Sequence, residues 1–166
     1  MTATSDDPYA VAAAQGIHRI SVPTPFAIGR VNAYLIEDDP LTLVDTGPNS
    51  GTSFDELQRG IEQHGHVLED IERVVVTHQH LDHVGLVALV VAHSGAEVAA
   101  LEPAARFLSD YQQEVKAEDD GAAEIMIRHG IPADVAQALY AVSSAFHAWA
   151  QQADVDVHRA GAAEVV

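Results

Sequence analysis

Short apolar runs separated by turn residues dominate the N-terminal part of the chain. Such runs predict β-strands, because a short apolar segment flanked by Gly, Pro, Asn or Asp fits a buried sheet. The predicted strands cover residues 17–22, 31–36, 41–44, 71–77 and 96–101. Two segments between them have helical spacing instead: one carries Phe54, Leu57 and Ile61, and the other covers residues 84–93. This alternation of strands and helices predicts an α/β (α+β) fold.

After residue 101 the chain becomes Ala-rich and its apolar positions recur with a helical period. The clearest stripe consists of Val135, Ala138, Leu139, Val142, Phe146 and Trp149. A stripe on one helix face is expected to pack into the core. The predicted organisation is therefore a flexible tail at 1–16, a sheet-containing half at 17–101, a helical insertion or cap at 102–150 and a tail at 151–166.

Composition narrows the partners and the cellular location. With 166 residues and 48% hydrophobic content, the chain can bury one core. Its 25 acidic and 8 basic residues give a formal charge of −17, which repels phosphate backbones, so nucleic acid is a disfavoured substrate. No apolar run is long enough to cross a membrane, and the N-terminus lacks the pattern of a secretory signal. Because the chain has no cysteine, a cytoplasmic location is the default expectation.

Four candidate metal ligands stand close together shortly after the apolar run 74–76: His78, His80, Asp82 and His83. In an extended chain alternate side chains share one face, so His78, His80 and Asp82 would converge, and His83 could join them at a turn. Imidazole and carboxylate groups are ligands that Zn²⁺, Fe²⁺ and Mn²⁺ accept. The cluster therefore predicts one or two metal ions, with zinc favoured and iron or manganese left open. The alternative is that these four residues form a solvent-exposed polar turn that binds no metal.

The segment V-V-V-T-H-Q-H-L-D-H at 74–83 resembles the H-x-H-x-D-H metal motif of the metallo-β-lactamase fold hydrolases. The segment L-T-L-V-D-T-G at 41–47 resembles the strand that precedes that motif in the same family. This resemblance implies an αββα sandwich. The later metal-ligand motifs of the family, including a Gly-His turn and a bridging aspartate, are not found. The expected architecture is therefore the first half of that sandwich with a helical cap.

The resemblance also implies a role for each residue of the motif. His78 and His80 would bind a first metal, and Asp82 and His83 a second. Asp82 would also orient the attacking water and is the candidate catalytic residue. Asp45 is expected either to lie close to the metals and support their ligands or to serve as a turn cap after its strand.

The implied activity is hydrolysis, in which a metal-bound hydroxide attacks an ester or thioester-like small molecule. The opening segment and the helical insertion are most similar to glyoxalase II-like hydrolases. One alternative is a truncated, catalytically impaired paralogue that binds metal or self-associates as a homodimer through an uncovered sheet. Another is a non-haem iron oxygenase of the same fold, because two histidines and one carboxylate suffice for that chemistry. Metal analysis distinguishes among these alternatives.

Overall fold

The computed structural model describes residues 9–149 and 158–160. These residues contain a six-stranded sheet whose strands lie in the same order as in the chain. The strands are β1 (Ile17–Pro23), β2 (Arg30–Ile36), β3 (Thr42–Val44), β4 (Arg73–Val76), β5 (Glu97–Leu101) and β6 (His158–Ala160). The first three strands are antiparallel to one another, whereas β3 to β6 run parallel. The carboxyl ends of β3, β4 and β5 therefore meet at one edge of the sheet.

The described residues also form seven α-helices. They are α1 (Ala10–Ala13), α2 (Gly51–Glu62), α3 (Leu81–Val84), α4 (Val87–Ser94), α5 (Glu102–Ser109), α6 (Tyr111–Arg128) and α7 (Ala133–Trp149). A 3-10 turn, Leu68–Asp70, precedes β4. Within the described part of the chain, no helix combines the length and the apolar character needed to cross a membrane. The predicted α/β class is confirmed.

Helix α2 shows how the local sequence builds the layer that covers the sheet. Ser50 caps its N-terminus, since the Ser50 hydroxyl accepts a hydrogen bond from the Ser53 amide at 3.2 Å. Leu57 and Ile61, four residues apart on one helix face, are fully buried. This apolar face, predicted from the helical spacing, belongs to the main core.

The two faces of the sheet differ in burial. On the core face, four side chains lie side by side across neighbouring strands and are almost completely buried: Leu35, Leu43, Val74 and Val98. On the opposite face, the next row consists of four half-buried side chains: Tyr34, Val44, Val75 and Ala99. The helices therefore cover one face of the sheet more completely than the other.

The half-buried face predicts self-association. Contiguous apolar surface on a soluble protein marks interaction sites or aggregation hazards. We expect the 166-residue chain expressed alone to elute as a dimer or larger species and to bind a hydrophobic dye. Light scattering coupled to chromatography measures this. A monodisperse species near 17.7 kDa that does not bind dye would contradict the prediction.

The prediction that the apolar stripe of α7 packs into the core is wrong. Val135, Leu139 and Val142 are 45%, 49% and 68% exposed. The side chains of Phe146 and Trp149 lie outside the described part. The helix instead turns a polar face towards α6, where the Ser143 hydroxyl donates to the buried Asp119 carboxylate at 2.7 Å. A buried carboxylate needs such donors, and that requirement fixes the rotation of α7.

Several predicted boundaries fall partly outside the described residues. Residues 1–8 of the predicted N-terminal tail are among them, while the part of that tail at 10–13 forms α1. Residues 150–157 and 161–166 also lie outside the description, and 158–160 form β6 beside β5.

Candidate metal centre

The site lies at the carboxyl edge of two parallel neighbours, β3 and β4. Asp45 follows β3, and its amide donates to the Val75 carbonyl of β4 at 2.9 Å. The extended conformation expected through Asp82 is wrong, because β4 ends at Val76 and α3 begins at Leu81. The chain turns into this helix as the His83 amide donates to the His80 carbonyl at 2.8 Å. The helical turn thereby brings Asp82 and His83 back towards the strand end.

The predicted site residues gather around the ring of His78. Its centroid lies 4.2 Å from that of His83 and 4.7 Å from that of His80. On the far side of the His83 ring, Nε2 is 3.7 Å from Asp82 Oδ2. One nitrogen or oxygen atom each from Asp45, His78 and His83 also lie within 4.8 Å of one another. His80 and Asp82 are outside this tighter group but adjoin it.

A chain of hydrogen bonds orients two of the imidazoles. Asp45 Oδ2 accepts from Thr77 Oγ1 at 2.7 Å and from His83 Nδ1 at 2.8 Å, while Oδ1 accepts from the Thr77 amide at 2.9 Å. Because the Thr77 hydroxyl gives its single proton to Asp45, it must accept from His78 Nδ1, 2.9 Å away. Both histidines therefore carry their proton on Nδ1 and leave the Nε2 lone pair for a metal.

This arrangement also explains the role of Asp45, which the sequence left open between support of the ligands and a turn cap. Its side chain is only 6% exposed and is already engaged by Thr77 and His83. Its backbone φ of 56° lies in the left-handed region, which is strained for a residue other than Gly and is often found at functional sites. Asp45 therefore holds the Thr77 and His83 side chains in their observed orientations.

The pKa values of the side chains in this cluster are shifted in different directions. Burial, followed by the neighbouring His83 and His80, holds the pKa of His78 below its ordinary value. The hydrogen bond to Asp45 raises the pKa of His83 despite burial. Burial alone would raise the pKa of Asp45, but the hydrogen bonds from His83 and Thr77 outweigh it and hold that pKa below the usual range. The lowered pKa of His78 favours the neutral imidazole that binds metal. The raised pKa of His83 means that this ring must more often lose a proton before it can bind.

The donor set fits a first-row divalent metal such as zinc. Two ligand atoms of a tetrahedral Zn²⁺, each about 2.0–2.2 Å from the ion, are separated by roughly 3.3–3.6 Å. The 3.7 Å between His83 Nε2 and Asp82 Oδ2 is close to that separation. The other ring nitrogen of His83 is bonded to a carboxylate, as is usual for a metal-binding histidine.

The loop after β3 holds α3 in place. The Thr46 amide and hydroxyl both donate to the His83 carbonyl, at 2.8 and 3.0 Å, and Thr46 Oγ1 accepts from the Leu86 amide at 3.2 Å. A single helix was predicted at 84–93, but the structure breaks it between α3 and α4. The break lies where Gly85 packs directly against the backbone of Pro48 and Asn49.

Gly85→Ala should therefore disturb the site as well as the fold. A Cβ at this position would lie 2.2 Å from the Asn49 amide nitrogen, and backbone cannot move aside as a flexible side chain does. We expect a loss of about 1–3 kcal/mol in the free energy of unfolding, measured by chemical denaturation of the metal-free chain. Gly121→Ala, on an open helix surface, is the matched control. Equal stability of both variants would contradict this packing.

A family model described as the metallo-beta-lactamase superfamily matches residues 27–151. The chain belongs to this superfamily. One similar curated protein is the probable metallo-hydrolase YqjP of Bacillus subtilis (strain 168), which is 51% identical over 67 residues. That match covers 40% of this chain and 21% of the relative.

A similar solved structure is that of a metallo-beta-lactamase family protein from Thermus thermophilus. It superposes with a TM-score of 0.58 at 26% identity and covers 70% of this chain and 39% of the other. The chain therefore matches less than half the length of either of these proteins. The predicted metallo-β-lactamase fold is confirmed.

In this superfamily member, His80 and Asp82 of the motif line a cleft of about 290 Å³. Its walls come from the loop after β1, the metal motif, and helices α5 to α7. The lining residues are Phe26, Ile28, Gln79, His80, Leu81, Asp82, Phe107, Tyr111, Val115, Glu118 and His147. The helical region thus forms one wall of the space beside the candidate ligands.

Sequence reasoning missed three residues that contribute to this site. Thr77 stands between the strand and the first histidine of the motif, and its position next to His78 was the available signal. Thr46 lies in the D-T-G segment, whose resemblance was noted without a role for the threonine. His147 lies in the helical region with no local motif to mark it, yet it is half-buried and lines the cleft.

Thr77→Val tests the hydrogen-bond chain, because valine keeps the shape of threonine and removes its hydroxyl. Groups that orient metal ligands commonly contribute about 10-fold to 100-fold to affinity, so we expect metal binding to weaken by roughly that factor. Competition with a chromogenic chelator measures it. Thr77→Ser retains the hydroxyl and should bind almost as tightly as the parent. Equal weakening in both variants would show that the hydroxyl does not orient His78.

Proposed function

We propose that this chain is a zinc-dependent hydrolase that acts on a small ester-type substrate. The observation that carries the proposal is that histidines with fixed ring orientations lie next to a cleft. His78 and His83 present their Nε2 atoms, while His80 and Asp82 line the adjoining space. Membership in the metallo-beta-lactamase superfamily supports the reaction class.

His78, His80, Asp82 and His83 would hold the metal, and Asp45 with Thr77 would keep the rings in place. When bound, zinc would polarise the substrate carbonyl and lower the pKa of water from about 15.7 to roughly 7. Asp82 lies beside both the cleft and His83, so its carboxylate can accept a hydrogen bond from the attacking water. Asp82 is therefore the residue to which we assign orientation of the nucleophile.

The dimensions and lining of the cleft suggest the kind of substrate. Its volume of about 290 Å³ lies at the lower end of the roughly 300–1,000 Å³ typical of small-molecule sites. Phe26, Phe107 and Val115 offer apolar contact to an acyl or alkyl group. Esters and thioesters with a short apolar chain fit this description, and the glyoxalase II-like specificity expected from the sequence falls within it.

Metal loading followed by turnover tests the proposal. The purified chain is freed of metal, loaded separately with Zn²⁺, Mn²⁺ or Fe²⁺, and assayed by elemental analysis and by hydrolysis of p-nitrophenyl butyrate and a butyryl thioester. We expect stoichiometric zinc and zinc-dependent hydrolysis. Oxygen consumption by the iron form without hydrolysis would favour an oxygenase. Failure to retain any metal would contradict both activities.

A further inference from the structure

Helices α6 and α7 bury a carboxylate near the wall of the cleft. Asp119 of α6 is 9% exposed. Its Oδ1 accepts from Ser143 Oγ at 2.7 Å, and its Oδ2 accepts from Ser144 Oγ at 3.3 Å. Both serines belong to α7. Because a buried charge is costly without partners, a third polar group beside this carboxylate would add to the two hydroxyls.

His147, one turn further along α7, provides one. Its Nδ1 lies 3.6 Å from Asp119 Oδ2 and has almost no exposed surface, yet the side chain as a whole is 23% exposed. The exposed part therefore belongs to other atoms of the side chain. His147 also lines the same cleft as His80 and Asp82. A buried carboxylate thus stands behind an imidazole that borders the candidate reaction space.

Tyr111 completes the cluster. It is 6% exposed, and its ring packs edge-on against the His147 ring with centroids 6.3 Å apart. Among the described residues, its buried hydroxyl has no hydrogen-bond partner, which is an expensive condition in a native protein. Burial, followed by Asp119 and Glu118, raises its pKa to about 12, so the group is a hydrogen-bond donor. An unsatisfied donor beside the cleft points to a polar ligand at this wall.

We propose that His147, whose Nδ1 lies beside the Asp119 carboxylate, is a further catalytic residue that donates a proton from Nε2 to the leaving group of an ester or amide. This inference rests on the proposed hydrolase function and specifies its substrate class. Asp119 Oδ2 lies 3.6 Å from His147 Nδ1, so the buried carboxylate stands beside the ring nitrogen other than Nε2. Glu118 lines the same cleft.

Proton transfer from His147 accompanies cleavage of the bond to the leaving group. The oxygen of water, having lost one proton, adds to the carbonyl carbon. As the bond from that carbon to the leaving oxygen or nitrogen breaks, its electron pair takes the proton from His147 Nε2. The products are a carboxylic acid and an alcohol or amine. The proton released from the attacking water returns to His147 through solvent, so the pair is restored without an oxidant, a reductant or another reactant.

A proton donor at His147 would assist oxygen and nitrogen leaving groups but not sulfur. A thiolate is a stable anion, since a free thiol has a pKa near about 8.5, and it departs without a proton. An alkoxide or amide anion is far more basic and needs a general acid. The pair of Asp119 and His147 is therefore useful to an ester or amide hydrolase and dispensable to a thioesterase.

Two butyrate esters that differ only in leaving group provide the test. In the zinc-loaded full chain, His147→Asn should lower kcat/KM for ethyl butyrate by about 100-fold, whereas p-nitrophenyl butyrate should lose about threefold or less. Asp119→Asn should show the same selectivity with smaller amplitude. His129→Asn, on the exposed end of α6, is the matched control and should change neither ester. Equal losses on both esters would overturn the proposal and indicate a structural role.

A second readout does not require turnover. Ethyl butylphosphonate cannot be hydrolysed as an ester of this type and places an ethoxy oxygen where the leaving group would be. Its addition should shift the ¹⁵N signal of His147 Nε2, assigned by its absence in His147→Asn. An unshifted signal would overturn the contact. A parent chain that binds zinc and hydrolyses neither ester would contradict the proposed function, whereas a shifted signal in that chain would still support the placement of His147.

Discussion

Simultaneous replacement of His78 and His80 by Ala should eliminate stoichiometric metal binding. The ring of His78 is the centre around which the other two imidazoles gather, and its loss also removes the donor to the Thr77 hydroxyl. The double change deletes two nitrogen ligands at once, and the candidate ligands that remain, Asp82 and His83, do not complete a tetrahedral site. Elemental analysis after gel filtration measures the metal content.

His129→Ala is the matched control for this experiment, because it removes a histidine from an exposed position and should leave the metal content intact. Circular dichroism of the metal-free proteins separates loss of metal from loss of fold. A double variant that is folded and retains as much metal as the parent would refute the assignment of the site.

Asp82→Asn should lower metal-dependent ester hydrolysis by about 100-fold or more, since it removes the carboxylate that accepts a hydrogen bond from the attacking water and orients it. Asn has nearly the same volume as Asp, so the fold should be unchanged. It replaces one carboxylate oxygen with an NH₂ donor, so it cannot accept hydrogen bonds as the carboxylate does. The loss should appear in kcat, with a smaller change in KM. Steady-state kinetics with p-nitrophenyl butyrate measures both constants.

The control for this charge change is Asp134→Asn, at an exposed position in the first turn of α7. It alters the net charge of the chain by the same amount and should leave kcat unchanged. If Asp82→Asn were as active as the parent, Asp82 would be neither a ligand nor the group that orients water.

The sheet and the position of the metal motif were accessible from the sequence because they depend on local patterns. Short apolar runs between turn residues predicted the strands, and three of these strands carry Leu35, Leu43 and Val74 on the core face. The four candidate ligands all lie within the six residues 78–83. Their proximity therefore needed no knowledge of the tertiary structure.

The remaining features depend on contacts between distant residues. The hydrogen bonds from Thr77 to Asp45 join positions 32 residues apart, and no residue near Thr77 in the sequence indicates this partner. The rotation of α7 is set by Asp119, one helix away, which overrides the apolar stripe that the helical period suggested. The break at Gly85 likewise follows from contact with the loop at Pro48, which the local pattern of α3 does not reveal.

The agreement between strand order and chain order has a consequence for folding. Every strand pairs with the one before it, so no pairing has to wait for a strand made later in the chain. Docking of β4 on β3 alone brings Asp45 to Thr77, and α3 then follows within a few residues. Amide exchange should therefore protect Asp45 and Thr77 together with the central strands, while the helices beyond β5 open separately.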